Sequence, residues 1–296
     1  MKPLFRYMGG KTWLSKHLKK QLICAINKNK NLDSYCEPFA GGMGSLISAL
    51  ETISCEPSLS NIKKIYVNDI NPPLITVYKT IYEGGAALDS LLNDYKILLD
   101  EFNSTLPING NKDKGSLEDC NLFFKKIRDK FNLTKEPVYL IILQQLSFNG
   151  IYRENLKGDY NTPFGWKHKP LDYSKFEASV LSMAEFLKNF DMIFTIGDYK
   201  NVMDIDNCLY YLDPPYFNTD GTKESSYSSG GFGIDEQKVL IEKLTGKKYF
   251  YSNHLSVSMF ELFKDEHKDM LTFERANRVS SGDRSSERYE MLVFNY

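Results

Sequence analysis

The chain has 296 residues, with 37 Lys and Arg against 38 Asp and Glu and 42% apolar content. That is globular rather than disordered composition, of a length that fits one large domain or two sharing a chain. No apolar run exceeds the stretch from Val138 to Leu143, and lysines stand early in MKPLFRYMGGK, which argues against a membrane span or a signal peptide. Five cysteines without a CxxC pair and four histidines without ligand spacing predict reduced, mostly buried thiols and no metal centre.

Eight positive residues (Lys2, Arg6, Lys11, Lys16, Lys19, Lys20, Lys28, Lys30) precede the first acid, Asp33. Such a patch can follow a line of phosphates or simply solvate a helix face. The spacing of Trp13, Leu14, His17, Leu18, Leu22 and Ile26 predicts a helix over 11–28. A short strand then ends near Glu37, where SYCEP runs into the glycine-rich FAGGMG and the apolar SLISAL, giving strand, turn and helix. KIYVN, 64–68, is a second strand that stops at Asp69. Two parallel strands joined by a crossover helix open a doubly wound α/β sheet, whose ligands lie outside the carboxyl ends of its strands.

From 73 to 148 the texture is amphipathic and helical, broken by a polar stretch at 108–116. NGIYRENLKGDYNTPFGWK, rich in turn formers and aromatics, predicts a β-hairpin or ordered loop. Sheet texture resumes in MIFTIGD and CLYYLDPPY, each apolar run ending in an Asp. It continues, after a helix at DEQKVLIEKL, in KKYFYSN and finally in YEMLVFNY. The order predicts one discontinuous α/β domain, 1–74 with 172–296, interrupted by a mainly helical segment at 75–171.

Chemistry concentrates at three places. The turn Phe39–Gly44 opens a helix after a strand, and its glycines let backbone approach a ligand at a helix N-terminus that favours negative charge. A nicotinamide cofactor, a nucleotide or the carboxylate end of S-adenosylmethionine would each suit it. Asp69, at the end of the next strand, can accept both hydroxyls of a ribose. Most distinctive is Asp213, Pro214, Pro215 and Tyr216, where consecutive prolines remove two N–H donors and stiffen the backbone. Read as chemistry, Asp213 and the Pro214 carbonyl hold a flat substrate by an amino group while Tyr216 stacks on its face. Read as structure alone, the same residues are a stiffened strand exit.

The order of motifs resembles the Dam-type, DPPY-motif family of DNA adenine-N6 methyltransferases. FRYMGGK, EPFAGGMGS, YVNDINPPLI, FNGIYRENLKGDYNTPFG, GDY at 197–199, LDPPY, YSNH and EMLVFNY together span most of the chain. The resemblance implies a Rossmann-like methyltransferase sheet that binds S-adenosylmethionine, with 75–171 as an inserted DNA target-recognition domain carrying the hairpin. It implies cofactor contacts from Tyr7, Lys11, Glu37, Phe39, Ala40, Gly41, Gly42, Gly44, Ser45, Asp69, Ile70, Asp198, Tyr199 and Asp213, the Asp198–Tyr199 pair bracketing the cofactor adenine. FAGGMGS is one residue longer than the commonest FxGxGS form, so the glycine that meets the methionine carboxylate is left open.

For duplex DNA the resemblance implies Asn149 and Arg153 as base readers, with Tyr152 and Lys157 nearby, and Phe217 beside the flipped base. Arginine is the commonest bidentate reader of guanine, an independent reason for Arg153. Lys16, Lys19, Lys20, Arg284 and Arg288 are candidates for phosphate contact, which positions without specifying. The Gly/Ser-rich stretch 218–233 is expected to close over the extruded base. No metal and no membrane is expected, the state is monomer or weak dimer, and a restriction nuclease is a candidate companion. The setting is inside a cell, with access to DNA, in a bacterial, phage or viral context. The competing readings are cytosine-N4 or RNA methylation, a catalytically dead DNA-binding scaffold and a nicotinamide dehydrogenase. Asp rather than Ser at 213 disfavours the cytosine reaction; Lys11, Asp69 and the DPPY segment disfavour the scaffold, and a dehydrogenase would leave the DPPY segment and the insertion idle.

Overall fold

The computed structural model describes residues 1–5, 11, 14–108, 110–216, 232–264, 269–275 and 288–296, with Arg275 and Arg288 described by backbone alone. Strand burial sets the layout. SYCE (β1, Ser34–Glu37) and CLYYL (β4, Cys208–Leu212) are buried at every position. That is the pattern of central parallel strands covered on both faces. KIYVND (β2, Lys64–Asp69) and DMIFTI (β3, Asp191–Ile196) are progressively more exposed, and β3 forms one edge. With β5 (Lys248–His254), β6 (Asp269–Arg275) and β7 (Arg288–Asn295), the sheet has the order β3-β2-β1-β4-β5-β7-β6. Neighbours from β3 to β5 pair in parallel, whereas β7 runs antiparallel to both β5 and β6. The chain winds outward from β1 toward β3 and from β4 toward β6. The order therefore reverses between β1 and β4, and a crevice forms beyond their carboxyl ends.

The first helix, α1 (Ser15–Lys28), starts later than expected; Leu18, Leu22 and Ile26 are buried as its spacing demands, but His17 faces solvent with its ring edge against Phe273. Crossover helix α2 (Gly44–Cys55) joins β1 to β2. Four helices follow β2: α3 (Pro72–Glu83), α4 (Gly85–Ser104), α5 (Glu118–Thr134) and α6 (Pro137–Leu146). Three further elements were not anticipated: helix α7 (Tyr173–Leu187), the short helix α9 (Val257–Glu261) and edge strand β6. Helix α7 had a legible start, since Asp172 caps it by accepting the Lys175 N–H at 3.2 Å, and a legible stripe of Val180, Met183, Ala184 and Leu187. Helix α8 (Ile234–Glu242) precedes β5.

Alternation along the strands divides the interior. Leu209 and Tyr211 of β4 join a core that runs without interruption into α4, α5 and α6; Cys208, Tyr210 and Leu212 face a smaller core with Leu240, Tyr251 and Met259. Of the cysteines, Cys36, Cys120 and Cys208 are buried and Cys55 is exposed.

Between α6 and α7 the chain forms a return loop instead of a regular hairpin. Antiparallel contact is limited to the bridges Ser147–Phe164 and Glu154–Tyr160. Its neck is tight: the Gly165 N–H donates to Leu146 O at 2.8 Å, and a Cβ at 165 would lie 2.6 Å from the Ser147 carbonyl oxygen.

Candidate active site

The glycine turn is held from two sides. Asp69 Oδ2 accepts the Gly41 N–H at 2.8 Å while Oδ1 accepts the Asn71 N–H at 2.9 Å. Burial pushes the Asp69 carboxyl up from its ordinary range, and the N–H groups of Asn71 and Gly41 pull it back. From α3, the Tyr78 hydroxyl donates to Gly42 O at 2.9 Å. The longer FAGGMG turn is accommodated by two left-handed residues, Gly41 at φ 48° and Met43 at φ 57°. Buried Asn68 ties three strand exits together: it donates to Pro38 O and Gly197 O at 3.0 Å each and accepts from Thr195 at 2.9 Å. Asn68, Tyr78 and Thr195 were not singled out from the sequence, although Asn68 immediately precedes the Asp69 that was.

Beside this turn, Glu37 is fully buried, and its carboxylate accepts from Tyr35 and Ser45 hydroxyls at 2.8 Å each. Burial pushes its carboxyl up to about 8, opposed by those two hydroxyls and assisted by the charge of Asp213. Phe39, Tyr199 and Phe232 form an aromatic cluster, Phe39 lying 5.2 Å from Tyr199 and 5.7 Å from Phe232. Asp198 caps the 3-10 turn that begins at Tyr199, accepting the Lys200 N–H at 2.9 Å. Ile70 is 67% exposed next to Asp69, a large apolar side chain left uncovered at the mouth of the crevice.

Beyond β4, Lys11 and the DPPY segment, Asp213 to Tyr216, come together across 202 residues of sequence. The Lys11 ammonium, on a side chain 2% exposed, sits 2.8 Å from Asp213 Oδ1 and 2.9 Å from Oδ2, and 4.5 Å from the centre of the Tyr216 ring. A charge so buried requires a counter-charge, and this one finds it in the DPPY segment. From β5, Ser252 donates to Asp213 Oδ1 at 3.0 Å, and the His254 ring meets Tyr216 edge-on at 4.4 Å. The Tyr216 hydroxyl donates to Glu290 of β7 at 3.2 Å. Ser252, Glu290 and Phe232 were not singled out, although they lie in the YSNH motif, the EMLVFNY motif and the 218–233 stretch.

At the return loop, Phe148 and Asn149 are exposed, Asn149 in the left-handed region at φ 55°. Arg153 is exposed, and its guanidinium donates to Asn161 Oδ1 at 2.7 Å and Asn161 O at 3.1 Å. Lys157 is exposed. Tyr152 departs from expectation: at 6% exposure, with its hydroxyl on Glu154 at 2.6 Å and its ring edge-on to Tyr160, it packs beneath the loop instead of facing outward. The bulk of its ring favours burial over a DNA-facing place. Lys16, Lys19 and Lys20 are exposed on α1. Tyr7, Phe217, the stretch 218–231, Arg284 and the Arg288 side chain lie outside the described residues.

Among the described residues, no group of three or more His, Cys, Asp or Glu is placed to hold a metal ion, and no helix is long and apolar enough to cross a membrane. A doubly wound sheet with a glycine turn at β1 and an acceptor-rich, proline-stiffened exit at β4 is a Rossmann-like group-transfer architecture. Comparison of the sequence with family models narrows this: residues 7–281 match the D12 class N6 adenine-specific DNA methyltransferase family, and the chain belongs to it.

Relatives agree. Type II methyltransferase M.MjaIII of Methanocaldococcus jannaschii is 29% identical over 313 aligned positions, covering 100% of this chain and 99% of the relative. The DNA adenine methylase of Haemophilus influenzae is 25% identical over 250 positions, 81% of this chain and 73% of its own. A DNA N-6-adenine-methyltransferase of Escherichia phage P1 is 26% identical over 272 positions, 88% of this chain but 31% of the phage protein.

Proposed function

We propose that this enzyme transfers the methyl group of S-adenosylmethionine to the N6 amine of an adenine extruded from duplex DNA, with S-adenosylhomocysteine as the leaving thioether and one amine proton released to solvent. The observation that carries this reading is the Lys11–Asp213–Tyr216 cluster beside the glycine turn, at the crevice where the strand order reverses.

The residues of the crevice fit such a cofactor in kind. The N–H groups of Ala40, Gly41 and Met43 already have acceptors, whereas those of Gly42 and Gly44 have none among the described residues. At the start of α2 they suit the methionine carboxylate. Asp69 keeps a second lone pair on each oxygen for ribose hydroxyls. Ile70, Phe39 and Tyr199 offer apolar surface for the adenine of the cofactor. Bound there, S-adenosylmethionine supplies an electrophilic methyl group.

The chain's own part is orientation. The N6 lone pair of adenine is delocalised into the ring, and hydrogen bonds from the amine to Asp213 and the Pro214 carbonyl favour a pyramidal nitrogen. No described donor reaches the Pro214 carbonyl, so it is open to the amine. Lys11 and Ser252 fix the Asp213 carboxylate, and holding reactants at near-attack geometry contributes roughly 7–11 kcal/mol in well-oriented systems. Extruding the base costs a few kcal/mol, partly offset by contact with Tyr216.

Arg153, oriented by Asn161, and Asn149 are proposed to read the site, with Lys157 and the lysines of α1 on phosphates. The return loop belongs to the inserted recognition segment, predicted from the sequence at 75–171. We place the start of that segment after α3, because α3 packs on β3 and holds the glycine turn through Tyr78. Duplex DNA as partner and an intracellular setting follow from this reading. The test is incubation of purified protein with S-adenosylmethionine and duplex DNA, followed by mapping of N6-methyladenine. Methylated adenine at a defined word is expected, with none from Asp213→Ala; unmodified adenine on every duplex would refute the assignment.

A further inference from the structure

We propose that Gln237 of α8 is a positioning residue for methyl transfer, fixing the Pro215–Tyr216 peptide so that Tyr216 and the Pro214 carbonyl keep their places around the target amine. The proposal rests on the site reading above.

Gln237 occupies a core position. The buried stripe of its helix and the following turn is Gln237, Leu240, Ile241 and Leu244, the spacing at which a leucine would pack, yet a glutamine stands there at 0% exposure. A buried amide costs stability unless both ends are hydrogen-bonded. Here both are: Nε2 donates to Pro215 O at 2.9 Å, and Oε1 accepts from the Tyr251 hydroxyl.

The amide's orientation is dictated from β5. The His254 N–H donates to Asn253 Oδ1 at 2.8 Å, which turns Asn253 Nδ2 toward the Tyr251 hydroxyl at 3.2 Å. Tyr251 then has its single proton for Gln237 Oε1, and burial pushes that hydroxyl up, so it stays a donor. The Gln237 NH₂ must therefore face Pro215. The chain of donors runs one way, from the His254 backbone to the Pro215 carbonyl. The start of α8 is itself secured, because the Gly233 N–H donates to Glu236 Oε2 at 2.9 Å.

Strand β5 thus holds the catalytic segment at three of its four residues. Ser252 holds Asp213, Tyr251 holds Pro215 through Gln237, and the His254 ring meets Tyr216. The residue passed over is Pro214, whose carbonyl is the one proposed to accept from the amine. Satisfying the Pro215 carbonyl removes a competing acceptor one residue away, and pinning its peptide plane fixes the backbone from which the Tyr216 ring projects.

Gln237→Leu, Gln237→Glu and Tyr251→Phe test this in the full chain, with single-turnover methylation, S-adenosylmethionine and duplex affinities, and the fluorescence of 2-aminopurine at the target position. For Gln237→Leu the single-turnover rate is expected to fall roughly 10- to 100-fold, the scale of a small misplacement of reacting groups. Both affinities should stay within about twofold, the scale of a few tenths of a kcal/mol, and the 2-aminopurine signal should change because the ring against the flipped base has shifted.

Gln237→Glu should recover as pH is lowered, because a protonated carboxyl can donate to Pro215 O while accepting from Tyr251. Asp213, Tyr199 and Tyr249 are the titratable neighbours of Tyr251, and wild-type protein measured in parallel accounts for them. Tyr251→Phe, which deletes one hydroxyl, should show the same split at smaller size, and it carries the test if Gln237→Leu does not fold. An unchanged rate in a folded variant, or rate and cofactor affinity falling together without recovery in Gln237→Glu, would overturn the positioning role. Failure of the underlying site reading would show separately, as absence of adenine methylation by the unaltered enzyme.

Discussion

The crevice and the return loop are built on opposite plans. In the crevice, partners come from far apart in sequence: Lys11 and Asp213 are separated by 202 residues, Asn68 and Thr195 by 127. In the loop, Arg153 is held by Asn161, 8 residues on, and Asn155 by Asp159, 4 residues on. The first plan locks a geometry that many elements must agree upon. The second staples a short segment to itself and to one neighbouring helix, through Asn132 of α5 and Lys135 at its C-terminal end, and leaves Phe148, Asn149, Arg153, Leu156 and Lys157 facing outward. On the function proposed above, chemistry common to the family would belong in the first and choice of DNA word in the second.

The contrast can be broken most sharply at Lys11. Lys11→Met leaves Asp213 without its counter-charge, so we expect almost complete loss of turnover and roughly 3 kcal/mol of lost stability, read by single-turnover assay and denaturant melts. A stable, active variant would mean the crevice is not locked as described. At the other pole, Gly165→Ala drives a Cβ into the Ser147 carbonyl; we expect about 1–3 kcal/mol of destabilisation, and site preference lost before cofactor affinity.

Arg153→Ala should leave stability within about 0.5 kcal/mol while weakening discrimination at one base pair by roughly 1–3 kcal/mol, seen by mapping methylated sites. An effect of a different kind, on stability against pH, is expected at Glu37. Its folded carboxyl, raised to about 8, binds a proton that the unfolded chain releases near the ordinary carboxylate range. The associated stability is complete in acid and is lost as pH rises through about 8. Glu37→Gln should flatten that slope in melting temperatures recorded across this range. Smallest is Gln144, buried on α6 with neither amide atom partnered among the described residues. Gln144→Leu should raise the melting temperature slightly, since an unsatisfied buried amide is costly.

The same contrast explains what could be read in advance. Short apolar runs ending in Asp or running into glycine marked β1, β2, β3 and β4; β1 and β4 are covered on both faces and have no polar alternation to blur them. Edge strand β6, half exposed, carried no such signature. In the site, Asp69, the glycine turn and Asp213 announced themselves by local chemistry. The place of Lys11, the grip of Ser252 on Asp213 and the amide of Gln237 did not, since each depends on which strands become neighbours. Tyr152 misled for the converse reason: within the loop, sequence proximity to Arg153 said nothing about which ring turned inward.

The uninterrupted hydrophobic core that joins the sheet to α4, α5 and α6 bears on how specificity could be re-engineered. Transplanting the whole helical segment from a relative would present mismatched apolar surfaces along a long seam. Grafting 147–165 crosses a narrow backbone neck and a much shorter apolar seam, where Phe164 and Tyr160 meet Phe124 and Phe131 of α5, so the economical unit for retargeting is a loop of that size, with those contacts kept, and not the domain around it.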